Sequence, residues 1–152
     1  MALSIGLLTS PTKLARRFES EAKIKTTHTT VKKYLDYFEE SFVLSHVKRF
    51  DIKDRQYFKT LFKYYFTDLG LRNARLNFGQ IEDNHIVENI IYNELIRPGY
   101  SVDIGMVEHN FKKDDTRVKK QLEIDFVINL SSQKYYIQYA DNINTKEKKN
   151  KK

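Results

Sequence analysis

At 152 residues, with 40% hydrophobic and 13% aromatic content and a formal charge of +7, the chain can bury one good core or two small ones, and its composition is that of a folded protein rather than a disordered one. The absence of Cys excludes a disulfide framework and a thiolate metal site. No apolar run approaches the roughly 20 residues of a membrane helix, and the opening MALSIGLL lacks the basic region of a signal peptide, so the expected setting is cytoplasmic, with no membrane.

The charge is unevenly spread. The last eleven residues hold five Lys against one Glu, so +4 of the +7 lies there and only +3 is left for the rest. Affinity for nucleic acid would therefore have to come from a local patch. Residues 142–152, with almost nothing apolar to bury, read as a disordered basic tail.

In chain order, Ser10-Pro11 followed by TKLARRFESEA starts a helix, with Ser as N-cap and Pro at the first position; Leu14, Ala15 and Phe18 form its inward stripe. A second helix is expected from Thr29 or Thr30, whose hydroxyl can cap it. Val31, Tyr34, Leu35, Phe38 and Phe42 fall on one of its faces. Phe42–Phe50 and Tyr57–Phe66, around the charged turn Asp51–Gln56, read as a hairpin, and a hairpin after two helices is the winged-helix arrangement. Lys32, Lys33, Lys48, Arg49, Lys53 and Arg55 are the candidate phosphate contacts of such a module.

Asp68–Gly79 reads as a connector. The helix Ile81–Leu95 places Glu88 on an apolar stripe with Ile81, Ile91 and Leu95, and Ile86, Val87 and Ile90 make a second apolar side. A carboxylate there either pairs or carries a desolvation cost of several kcal/mol; it points at a polar sheet face near Asp125, or it finds a cation or a backbone amide. His85, within one turn, either donates to it or is a solvated or capping histidine. Pro98-Gly99 ends this helix. Ser101–Val107 is a strand, Asn110–Lys119 a charged hairpin loop, and Lys120–Asp141 the next hairpin. There Leu122, Ile124, Phe126, Ile128 and Leu130 alternate with Glu123, Asp125, Val127 and Asn129, giving one greasy and one mixed face. A break at Ser131–Lys134 sets Asp125 opposite Ala140 and Val127 opposite Gln138. A strand carboxylate beside an acid-x-Lys strand is the metal-dependent nuclease arrangement of the PD-(D/E)xK fold. Here the second strand reads Gln138-Tyr139-Ala140, so the catalytic pair is missing.

The runs KYYFTDLGLRNARLNF, HIVENIIYNELIRPGYSVDIGMV and LEIDFVINLSSQKYYIQYA together resemble the C-terminal region of a large group of prokaryotic AAA-type ATPases. The likeness extends back through SPTKLARRF and TTVKKYLDYFEESFVL. It implies an α/β (α+β) chain: a winged helix over 6–66, then a truncated, degenerate restriction-endonuclease-like domain over 67–141. The acidic helix position of that family matches Glu88, the strand Asp matches Asp125, and the acid-x-Lys positions match Gln138 and Ala140. No G-x-x-x-x-G-K-[ST] loop occurs, so ATP belongs only to a full-length parent, and the chain reads as a fragment. Its expected role is a noncatalytic module that binds DNA or a protein partner, or associates with itself through an exposed sheet edge. No resident cofactor or metal is expected; Mg²⁺ enters only if nuclease activity survives, with Glu88 and Asp125 as its weak ligands. A weak Mg²⁺-dependent nuclease and a free-standing winged-helix regulator are the alternatives.

Overall fold

A computed structural model describes residues 6–79, 83–113 and 116–140. It is a mixed α/β structure. Ser10 caps α1 (Pro11–Ala22) by accepting from the Lys13 amide, with Pro11 at the first turn as the sequence dictates. Helix α2 (His28–Glu40) starts earlier than expected. Its cap is Thr27, whose hydroxyl accepts from the Thr30 amide, so the cap lies ahead of the two threonines singled out by sequence. Of the α2 stripe, only Val31 and Leu35 are buried; Tyr34, Phe38 and Phe42 are exposed.

The hairpin over 44–66 forms, but in two pieces. Strands β1 (Leu44–Val47) and β4 (Lys63–Phe66) pair antiparallel as one small sheet. Strands β2 (Arg49–Asp51) and β3 (Gln56–Tyr57) pair with each other and leave it for a second sheet. There β2 runs parallel to β5 (Ser101–Lys113), with Arg49 opposite Ile104. The sheet order is β3-β2-β5-β6-β7, where β6 is Thr116–Leu130 and β7 Gln133–Ile137. The hairpin tip is thus stitched into a sheet instead of standing free as a wing, and the expected division at residue 66 is bridged by backbone hydrogen bonds such as Ile104 N to Lys48 O, 2.9 Å.

The expected connector contains a short helix, α3 (Leu69–Arg75), capped by Asp68. Helix α4 (Asp83–Ile96) follows; the expected stripe residue Ile81 lies outside the described residues. Its second side is not well buried as expected, because Ile90 is exposed. The charged loop expected over 110–119 is mostly strand, since β5 and β6 pair out to Lys113 and Thr116. The tail over 142–152 also lies outside the described residues.

Two local features of β6 aim the side chains that matter. Asp103 pairs with Val127 and Gly105 with Ile124, so two residues, Asp125 and Phe126, oppose the single Ile104. This is a β-bulge, which re-aims the strand. Strict alternation therefore fails there. Phe126 packs with Tyr65 and Tyr92 at ring separations of 6.0 and 6.3 Å, on the side where Glu123 meets Lys63. Ile124 and Val127 lie on the other side, against Gly105, where an added Cβ would stand 2.8 Å from Val127 Cγ2 and 3.0 Å from Ile124 Cβ. The second feature is the turn. Ser131-Ser132 alone connects β6 to β7, with Ser131 at φ +56°, as a tight two-residue turn needs. Leu130 then faces Gln133 and Phe126 faces Ile137, so the register runs two residues from the expected one and brings Gln138, not Ala140, to Asp125.

Candidate functional site

A buried polar cluster lies beside the hydrophobic core that Tyr65, Tyr92 and Phe126 belong to. Helix α4 turns Glu88, Asn89 and Tyr92 inward, all buried, at i, i+1 and i+4 on one helical face. Tyr92 stacks on Tyr65 at 4.5 Å. Asn89 accepts from the Phe66 amide and donates to the Phe66 carbonyl, each at 2.8 Å, locking α4 to the end of β4. Sequence reasoning missed Asn89 and Lys63. Two signals were present: Asn89 lies next to Glu88 on the inward face, and Lys63 opens an otherwise aromatic strand.

Lys63 holds this cluster together. Its ammonium lies 2.6 Å from Glu88 Oε1 and 2.7 Å from Glu123 Oε1, and the residue is 4% exposed. Burial by itself would lower its pKa, but the carboxylates of Glu88 and Glu123 outweigh burial, and the net shift is upward. Glu88 Oε1 also accepts from the Tyr65 hydroxyl. Burial, with Glu88 next, drives that phenol far above its ordinary range, so it acts as a permanent donor. His85 Nδ1 stands 3.9 Å from Glu88 Oε2. Gly6, at φ +69°, passes over both: a Cβ there would come within 2.9 Å of His85 Nδ1 and 3.3 Å of Glu88 Oε2. Only glycine fits both that backbone and that gap.

Asp125 faces the same cluster. Its Oδ2 accepts from Gln138 Nε2 at 2.6 Å and from the Tyr139 amide at 2.7 Å. Burial raises its pKa, the Tyr139 amide opposes that, and the neighbouring Glu88 raises it further. Glu88 thus finds a cation, one of the two partners its sequence position offered, while lying near enough to Asp125 to influence its charge; Gln138 serves as a donor to Asp125. Among the described residues, no three His, Asp or Glu side chains are placed to hold one metal ion. The residues present also fit a cation poorly, because Lys63 already stands between two of the three carboxylates.

The basic residues singled out by sequence are dispersed. Lys32 pairs with Asp36 at 2.6 Å on the exposed side of α2, and Lys33 lies over the Tyr37 ring at 5.7 Å. Lys48, Lys53 and Arg55 are exposed, the last two on the β2–β3 turn that Asp51 ties by accepting from the Lys53 and Asp54 amides. Arg49 is buried, its guanidinium carbon 4.4 Å from the Phe58 ring centroid. A strand position facing the core removes it from any phosphate surface.

With this geometry in view, the chain belongs to a family known by the description "Domain of unknown function (DUF8612)", whose model matches residues 1–82. It is also 34% identical to an uncharacterized protein of Haemophilus influenzae (strain ATCC 51907 / DSM 11121 / KW20 / Rd), over 99% of this chain and 35% of that protein. The chain therefore spans about a third of the length of the curated relative it matches. No solved structure matches. The family match ends ahead of α4, so it takes in Lys63 but not its partners Glu88 and Glu123.

Proposed function

We propose that this chain is a noncatalytic binding module, akin to the C-terminal region of AAA-type ATPases, in which a helical segment of winged-helix kind is joined to a nuclease-like sheet that has lost its chemistry. One observation carries the reading: the Lys63 ammonium lies between Glu88 and Glu123, at 2.6 and 2.7 Å. Phosphodiester hydrolysis on such a scaffold needs a divalent ion held by at least two carboxylates, to polarise the phosphate and ready a water. A tethered ammonium supplies the charge but offers no open coordination position. Asp125 is likewise occupied by two donors, and Ala140 supplies no cation to steady a developing charge. The polar cluster then serves to fix α4 against the sheet, and function falls to the surface: DNA or a protein partner.

The test is incubation of the purified chain with single- and double-stranded DNA in Mg²⁺ or Mn²⁺, beside Asp125→Ala. No cleavage is expected. Metal-dependent cleavage that disappears in Asp125→Ala would overturn the reading in favour of a weak nuclease. DNA binding is tested separately through its salt dependence, with a log–log slope of roughly −0.9 per phosphate neutralised. Replacing Lys32 and Lys33 by Ala lowers that slope if α2 is the reader, with removal of residues 146–152 as the control.

A further inference from the structure

Helix α2 exposes what most helices bury. Tyr34 and Tyr37 are 61% and 50% exposed, and Phe38 and Phe42 are exposed beside them. Its charges are also placed against its own dipole. Lys32 and Lys33 lie near the N-terminus, Glu39 and Glu40 near the C-terminus, and there is no acidic residue in the first turn and no basic one in the last, the reverse of what the macrodipole favours. Two of the four are ion-paired within the chain, Lys32 with Asp36 and Glu39 with His46, and Lys33 lies over the Tyr37 ring. Lys33 and Glu40 have no ion pair among the described residues. Seven residues apart, they share one flank of the helix but are separated by about 10 Å along it, too far to meet each other.

We propose that α2 is a self-association surface that takes α2 of a second copy, antiparallel, about a two-fold axis near Tyr37. The charge pattern selects this occupant. An antiparallel copy sets Lys33 of one chain beside Glu40 of the other, twice, and places each acidic C-terminal end against a basic N-terminal end, so the arrangement unfavourable in one helix becomes favourable in the pair. The aromatic stripe Tyr34, Tyr37 and Phe38 then packs on its own copy, and isologous contact of this kind needs only a self-complementary face. Phe42 is brought to the partner's first turn of α2. There Ile24, Thr26 and Val31 are among the residues lining an apolar cavity of about 260 Å³ between α1 and α2.

The experiment uses the full chain in sedimentation equilibrium and light scattering at micromolar concentration. The wild type is expected to dimerise. Lys33→Glu faces acid with acid, and Glu40→Lys faces base with base, so each variant alone should dimerise at least about tenfold more weakly. Both substitutions suit the helix dipole, so both variants stay folded, which circular dichroism checks. Mixed in equal amounts, the two variants should form a heterodimer, since every facing pair is then of opposite sign. A wild type that stays monomeric, a dimer indifferent to both substitutions, or two weakened variants that do not recover on mixing would each overturn the proposal.

Discussion

The polar cluster around Lys63 and the outer face of α2 invert the usual distribution of residues, one by burying charge and the other by exposing rings. Their physical situations differ. Inside, the network around Lys63 is partnered: Lys63 has two carboxylates, Glu88 has Lys63 and Tyr65, and Asn89 has both backbone groups of Phe66. Such a network contributes little net stability over an apolar core, yet losing one member is costly. Outside, Tyr34 and Phe42 have little to lose within the monomer. The contrast teaches that the interior defines one arrangement of this chain, while the surface holds apolar area in reserve for another molecule.

The largest expected effect tests the interior. Lys63→Ala leaves Glu88 and Glu123 facing each other without their shared cation and should cost about 3–5 kcal/mol, read by urea denaturation. Adding Glu88→Gln and Glu123→Gln should recover much of it. If Lys63→Ala is tolerated like a surface change, the interior network is not what holds α4 to the sheet. Next, Asn89→Leu should cost about 1–3 kcal/mol, because the buried Phe66 amide loses its acceptor; the Phe66 carbonyl keeps Asn93 as a donor.

Asp125 sharpens the comparison through pH. Its folded pKa lies above the ordinary value, chiefly through burial. The folded state therefore holds this proton more tightly than the unfolded one. The associated stability is fully present below the ordinary aspartate range, near pH 4, and is lost as pH rises through the raised folded value. Asp125→Asn removes that titration and can still accept from Tyr139. The variant should thus gain on the wild type between pH 4 and pH 7 in thermal melts; an unchanged difference would show that burial of Asp125 is not felt. The smallest effect is on the outer face. Tyr34→Ser should shift monomer stability by no more than about 0.5 kcal/mol, by the same denaturation measurement.

Much of the local structure was legible. Ser10-Pro11 declared α1, Pro98-Gly99 ended α4, and Glu88 on an apolar stripe announced a buried carboxylate in need of a partner. Three things were hidden, for physical reasons. The bulge at Asp125–Phe126 leaves no mark on an alternating sequence, because Ile124 and Phe126 are apolar on either face. The turn at Ser131-Ser132 lacks the Asn-Gly or Gly signals that usually pin a register, so the sequence leaves a loop of two or of four residues equally open. The parallel β2–β5 contact joins segments some fifty residues apart in sequence, where periodicity carries no information.

That same pairing has a temporal side. As the chain is synthesised, β1 and β4 can meet soon after they emerge, since only the short strands β2 and β3 lie between them in sequence. Strand β2 has no neighbour on its far side until β5 appears about fifty residues later, roughly 3–10 s at ordinary elongation rates. Nor can Lys63 find its second carboxylate until Glu123 has been made. The N-terminal part matched by the family model is therefore an unfinished template until β5 and Glu123 have been made, and closing it waits for both.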